Sequence, residues 1–152
     1  MDLQRLLADS ADSILADAEA SIGRMRVEGY ERSGKDQTHQ RLKALYVLTV
    51  RGVKERNLGP MIAHAETVAR ERYTAGFDLS EVQTAFNVLE EATWKRILQV
   101  LPASDYGEAL GLVSTVLGAG KDALARTYVT LAGKTRTRTL NLHSLFSGTD
   151  GA

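Results

Sequence analysis

Apolar residues recur every third or fourth position over most of the chain, which is the spacing that gathers side chains on one face of an α-helix. Leu3, Leu7, Ala11, Ile14, Ala18, Ile22 and Met25 form the first such stripe, and Gly29 is the expected stop. Ser33-Gly34 reads as a connector. Leu42, Leu45, Tyr46, Thr49 and Val53 form a second stripe, ended by the turn Asn57-Leu58-Gly59-Pro60. Proline suits a helix start because the first amide has no intrahelical partner. A third helix therefore opens at Pro60, with Met61, Ala65, Val68, Ala69 and Tyr73 inward and Gly76 as the left-handed stop.

Asp78 followed three residues later by Glu81 is a capping box, in which each side chain satisfies an amide of the other's turn. It opens a fourth helix, striped by Leu79, Val82, Phe86, Leu89, Thr93, Ile97 and Val100 and closed by Pro102. The fifth begins near Ser104-Asp105. Its apolar positions, Tyr106, Leu110, Val113, Leu117, Gly120, Leu124, Thr127 and Leu131, alternate by four and three, the spacing of a heptad seam.

Seams of this kind pack about 20° from antiparallel. The predicted fold is therefore all-α: an up-and-down bundle of about five helices, with globin-like packing as its variant. Gly107, Gly111, Gly118 and Gly120 lie inside the fifth helix, where each costs about 1 kcal/mol relative to alanine. Close approach of another helix is the expected compensation, supplied by this chain or by a second copy. Residues 1–133 form the expected bundle domain, and 134–152 a basic, mobile C-terminal tail carrying Lys134, Arg136 and Arg138. Within it Leu140, Leu142, Leu145 and Phe146 are an apolar cluster suited to docking on the bundle or in a partner's groove.

Composition narrows the function classes. The 152 residues fit one domain, and 43% hydrophobic with 25% charged residues is ordinary for a globular chain. Nineteen basic and nineteen acidic residues cancel, which removes any global attraction to nucleic acid or anionic lipid. No cysteine is present, so disulfides, thiolate nucleophiles and thiolate metal sites are excluded. The acidic residues among the first apolar positions, Asp9, Asp12, Asp17 and Glu19, do not fit a signal peptide, and no run of about 18 apolar residues could span a bilayer. A cytoplasmic protein is expected.

The chemistry-bearing residues are sparse. His39, His64 and His143 lack the spacing of a helix metal site and read as surface residues; haem on His64 is disfavoured because that residue sits about 110° from its stripe at 100° per residue. Leu117 to Asp122 resembles a phosphate loop faintly, but the flanking glycine and hydroxyl are missing and the seam runs through it as helix. Arg72 falls on an apolar stripe, where a guanidinium needs a carboxylate, with Glu90 or Glu91 the expected partner, or else an anion. Trp94 lies at a stripe edge, as core rim or as a pocket or interface anchor.

The run from His64 to Leu98, most clearly the turn Gly76-Phe77-Asp78-Leu79 and the stretch from Phe86 to Trp94, resembles the N-terminal helical domain of RsbRD-type stressosome co-antagonists, also seen ahead of PucR-like transcription regulators and some histidine kinases. The resemblance implies a bacterial regulatory sensor or protein-interaction domain, and because no nucleophile, base and orienting group are visible together and no metal-site spacing occurs, a non-enzymatic domain without cofactor or metal is expected. It also implies a protein partner in a signalling complex. The heptad seam adds the expectation of a homodimer. The rival expectation is a bundle holding a small molecule, lipid or haem near Tyr46, Arg72, Tyr73 and Trp94.

Overall fold

The computed structural model describes residues 1–147, with side chains through Lys134. Six α-helices follow one another, and among the described residues there is no strand: α1 Leu3–Asp9, α2 Ala11–Met25, α3 Glu28–Glu55, α4 Gly59–Thr74, α5 Leu79–Val100 and α6 Tyr106–Ser147, with a 3-10 turn at Ala103–Asp105. The predicted all-α bundle is what forms. Chain neighbours are not always the main packing partners, since α4 lies chiefly on α6 and α2 on α5.

The stripes read from the sequence are the buried faces. Leu7, Ile14, Leu42, Met61, Leu89, Ile97, Val113, Leu117 and Leu124 are all essentially inaccessible to solvent. Burying a leucine-sized side chain contributes about 1.5–3 kcal/mol, so these positions supply much of the folding drive. Thr49 and Thr93 are buried with them, and each hydroxyl donates to the carbonyl four residues back, Leu45 at 2.8 Å and Leu89 at 2.7 Å. That local bond removes the cost of hiding a hydroxyl among apolar neighbours.

Three boundaries differ from the sequence reading. The first stripe is broken at Ser10, a buried residue whose hydroxyl accepts from Arg96 Nε at 3.0 Å, so it belongs to two helices. The stop falls at Arg26 rather than Gly29, with Arg26 itself left-handed at φ 52°, and Gly29 lies in the first turn of α3. The connector expected at Ser33-Gly34 is present: Gly34, at φ 84°, ψ 165°, interrupts α3 and joins two helical segments. At the other end, Gly133 does not stop α6, which continues as helix to Ser147 where the sequence reading has a tail. One interior glycine costs about 1 kcal/mol, too little to end a helix whose following residues tolerate the conformation. The apolar side chains from Leu140 to Phe146 lie outside the described residues.

Candidate functional site

The best-defined local geometry is the junction between α4 and α5. Gly76, at φ 86°, takes the left-handed position after α4; its amide donates to Tyr73 O at 3.2 Å and the Phe77 amide to Arg72 O at 2.9 Å. This pair of bonds is a Schellman motif, which closes the helix and swings the following apolar residue inward. That residue, Phe77, is buried. Asp78 and Glu81 then form the predicted capping box, with the Asp78 amide donating to Glu81 Oε1 at 3.0 Å.

Glu81 does more than cap its own helix. Its second oxygen, Oε2, accepts from the Gly29 amide at 2.9 Å, so one carboxylate satisfies the N-cap amide of α5 and a first-turn amide of α3. The Asp78 amide first, and the Gly29 amide next, hold the Glu81 carboxyl below its ordinary pKa. Glycine at position 29 is a steric requirement, because a Cβ there would lie 2.4 Å from Phe77 Cε2 and 2.8 Å from Glu81 Oε2.

Phe77 gathers cations. The guanidinium carbons of Arg41, Arg32 and Arg72 lie 5.6, 5.8 and 5.8 Å from its ring centroid, within cation–π range. Tyr30 meets the ring edge-on at 6.2 Å, and the Tyr128 hydroxyl donates to the Phe77 carbonyl at 2.9 Å. Beside this cluster a cavity of about 340 Å³ opens between α3, α4 and α5. Tyr30, Gln37, Gln40 and Arg41 line it from α3, His64, Glu71 and Arg72 from α4, and Val82, Ala85 and Phe86 from α5.

The charges in that cavity are poorly matched. Arg41 bonds neutral oxygens, Ser33 Oγ at 2.8 Å and Gln37 Oε1 at 3.0 Å. The Arg72 side chain is 16% exposed, and its ion pair is a long one, 3.8 Å to a Glu71 carboxylate that is 61% exposed. Burial first, and the nearby Arg72 charge next, lower the pKa of Arg41. Burial likewise lowers the pKa of His64, against the pull of Glu71, which leaves its imidazole neutral near pH 7. Burial raises the Tyr30 hydroxyl to about 12, so it stays protonated. A larger cleft between α2 and α3, about 740 Å³, is lined by Glu19, Glu31, Lys35, Asp36 and His39, where opposite charges are mixed and His39 pairs with Glu19.

Of the residues singled out from the sequence, Arg72 lines the 340 Å³ cavity. Tyr46 donates its hydroxyl to the Leu7 carbonyl and fixes α3 on α1. Tyr73 packs edge-on to Tyr128 at 5.5 Å, and Trp94 is 40% exposed on α5. The structure does not gather these four into one pocket. The expected partners of Arg72 are corrected: Glu90 is taken by Lys121 of α6 at 3.5 Å and Glu91 by Lys95, one turn on in its own helix, at 3.1 Å, while Arg72 pairs with Glu71. His64 is half-buried at the cavity rather than on the open surface, since α3 covers the flank of α4 that its own stripe leaves bare. Sequence reasoning missed Arg41 and Tyr30, and it took Gly29 for a helix stop where the structure has a close approach to Phe77 and Glu81.

A second surface of note is the outer face of α6. Taking 100° per residue, Gly107, Gly111, Ser114, Gly118 and Ala125 fall within about 60° of one another. A Cβ added at Gly107, Gly111 or Gly118 would meet nothing within 4 Å, whereas one at Gly120 would lie 2.7 Å from Phe86 Cε1. The seam itself is buried inside the chain, with Val113, Leu117 and Leu124 fully covered. On α5, Asn87 and Glu90 reach Lys121 and Ser114 of α6, and Trp94 and Leu98 lie on the same side of that helix. Trp94 and Leu98, 49% exposed, thus border the open glycine face.

Among the described residues no group of three histidine or carboxylate side chains lies close enough to hold a metal, and no helix is long and apolar enough to cross a membrane. No curated protein and no solved structure matches the chain. A family model does match, that of the RsbT co-antagonist protein rsbRD N-terminal domain, over residues 5–139. The match spans all of the junction, the cavity and the open α6 face, and the chain belongs to the RsbRD N-terminal domain family.

Proposed function

We propose that this member of a stressosome-type signalling and regulatory family is a non-enzymatic input domain that works by helix-mediated association, with a second copy of itself as partner. The observation that carries the reading is the outer face of α6: three glycines with open space over them, bordered by the exposed Trp94 and Leu98. Glycines on a helix surface lower helix stability unless something uses the close approach they permit, and an exposed tryptophan is a frequent interface anchor. A family described by co-antagonism of RsbT fits a domain whose output is contact with other proteins in the cytoplasm rather than chemistry.

Trp94 is the single tryptophan of the chain and so reports on this face alone. Its emission should shift to shorter wavelength as protein concentration rises, because association removes water from the indole. Emission independent of concentration would count against this interface. The cavity beside Arg72 favours a second reading, a bundle that holds a small molecule.

A further inference from the structure

We propose that the cavity between α3, α4 and α5 binds a small organic monocarboxylate with an apolar body. It holds two guanidiniums, Arg41 and Arg72, backed by the Phe77 ring and facing one exposed carboxylate, Glu71. The formal balance is one uncompensated positive charge. Two cations held together in a partly desolvated site repel each other and favour an anion between them. The site fits one negative charge better than two, since Glu71 remains at its mouth to repel the second.

The remaining walls select the rest of the ligand. Val68, Val82, Ala85 and Phe86 line the same cavity with apolar surface, which a carboxylate bearing a hydrocarbon body would cover and a bare inorganic anion would leave wet. Tyr30 is a neutral hydroxyl, and Gln37 and Gln40 carry amides, so further donors need no added charge. His64 lines the same cavity and is uncharged near pH 7, so it senses a bound anion without competing for it. The inference goes beyond association of the domain and does not depend on it.

The test is a titration of the whole chain with hexanoate, benzoate and inorganic phosphate, followed by amide and imidazole resonances. The proposal expects saturable shifts at Val68, Val82 and Ala85 with hexanoate or benzoate, and a rise in the His64 pKa on saturation. Arg72→Gln should weaken binding at least about tenfold, the effect of losing a charge-assisted hydrogen bond. Arg41→Gln, on the outer flank of α3, is expected to do the same and serves where Arg72→Gln fails to fold. Glu71→Gln should tighten binding about two- to fivefold by removing an exposed like charge, an effect that a purely structural role for the arginines would not produce. Phosphate binding as well as the carboxylates overturns the apolar-body assignment, and no saturable shift with any of the three overturns the site.

Discussion

The two faces of α6 use the same residue for opposite purposes. Gly120 sits on the buried seam, where a methyl group would fall 2.7 Å from Phe86 Cε1 and 2.9 Å from Met61 Sδ, so the helix can approach α4 and α5 only because no side chain is there. Gly118, two residues earlier, looks outward, and a methyl group there would touch nothing within 4 Å. The first glycine is explained by packing inside the chain. The second has no intramolecular explanation and still carries the entropic penalty of glycine in a helix. What distinguishes a packing glycine from one that serves something outside the chain is the space over its Cα, not its place in a heptad pattern.

Substitutions at the two positions should therefore differ in sign. The largest effect is expected at the inner face, where Gly120→Ala overpacks against the Phe86 ring and destabilises by about 1–3 kcal/mol, the range for methyl groups forced into filled cores. A denaturant midpoint equal to the parent's would show that the seam has slack. Next comes Asp78→Ala, which should cost about 1 kcal/mol through loss of the α5 cap and leaves both faces of α6 in place. Thermal unfolding of that variant sets the scale of a local defect against which the α6 substitutions are read. On the outer face, Gly118→Ala should instead stabilise the isolated chain by about 0.5–1 kcal/mol, since alanine removes the glycine penalty and meets no neighbour. Loss of stability at Gly118 as at Gly120 would erase the distinction between the faces.

The smallest effect concerns acid. Glu81 has its pKa lowered in the folded chain, so its contribution is fully present above the unfolded carboxylate value and disappears as pH falls through the folded one. Stability should decline more steeply on the acid side for the parent than for Glu81→Gln, in which position 81 no longer titrates, while both faces of α6 respond to acid alike. Identical acid slopes would mean that the two amide bonds of Glu81 do not favour its charged form.

How much of this was legible in the sequence depends on the range of the interaction. The stripes, the Gly76 stop and the Asp78–Glu81 box are local, and the periodicity and three-residue spacing that announce them are set by one helix turn. The Glu81 to Gly29 bond joins residues 52 apart, and nothing in either neighbourhood specifies the other. Arg72 was marked by its place on an apolar stripe, yet its relation to Arg41 runs through Phe77 and the kink at Gly34, which only the folded chain assembles. Heptad spacing on α6 was read correctly as a seam, but spacing alone cannot say whether the partner helix belongs to the same chain. Burial of Val113, Leu117 and Leu124 answers that for the seam and transfers the question to the open side.

Light scattering across a wide concentration range tests the use of that open side most directly. The account predicts that the parent's molar mass rises from monomer to dimer with concentration. The double variant Gly111→Leu, Gly118→Leu should stay monomeric with its helical circular dichroism intact, because a Cβ at either position meets nothing within 4 Å in its own bundle while the leucine side chains stand in the way of a partner helix. A parent that remains monomeric at the highest attainable concentration, or a double variant that dimerises as readily as the parent, would contradict it.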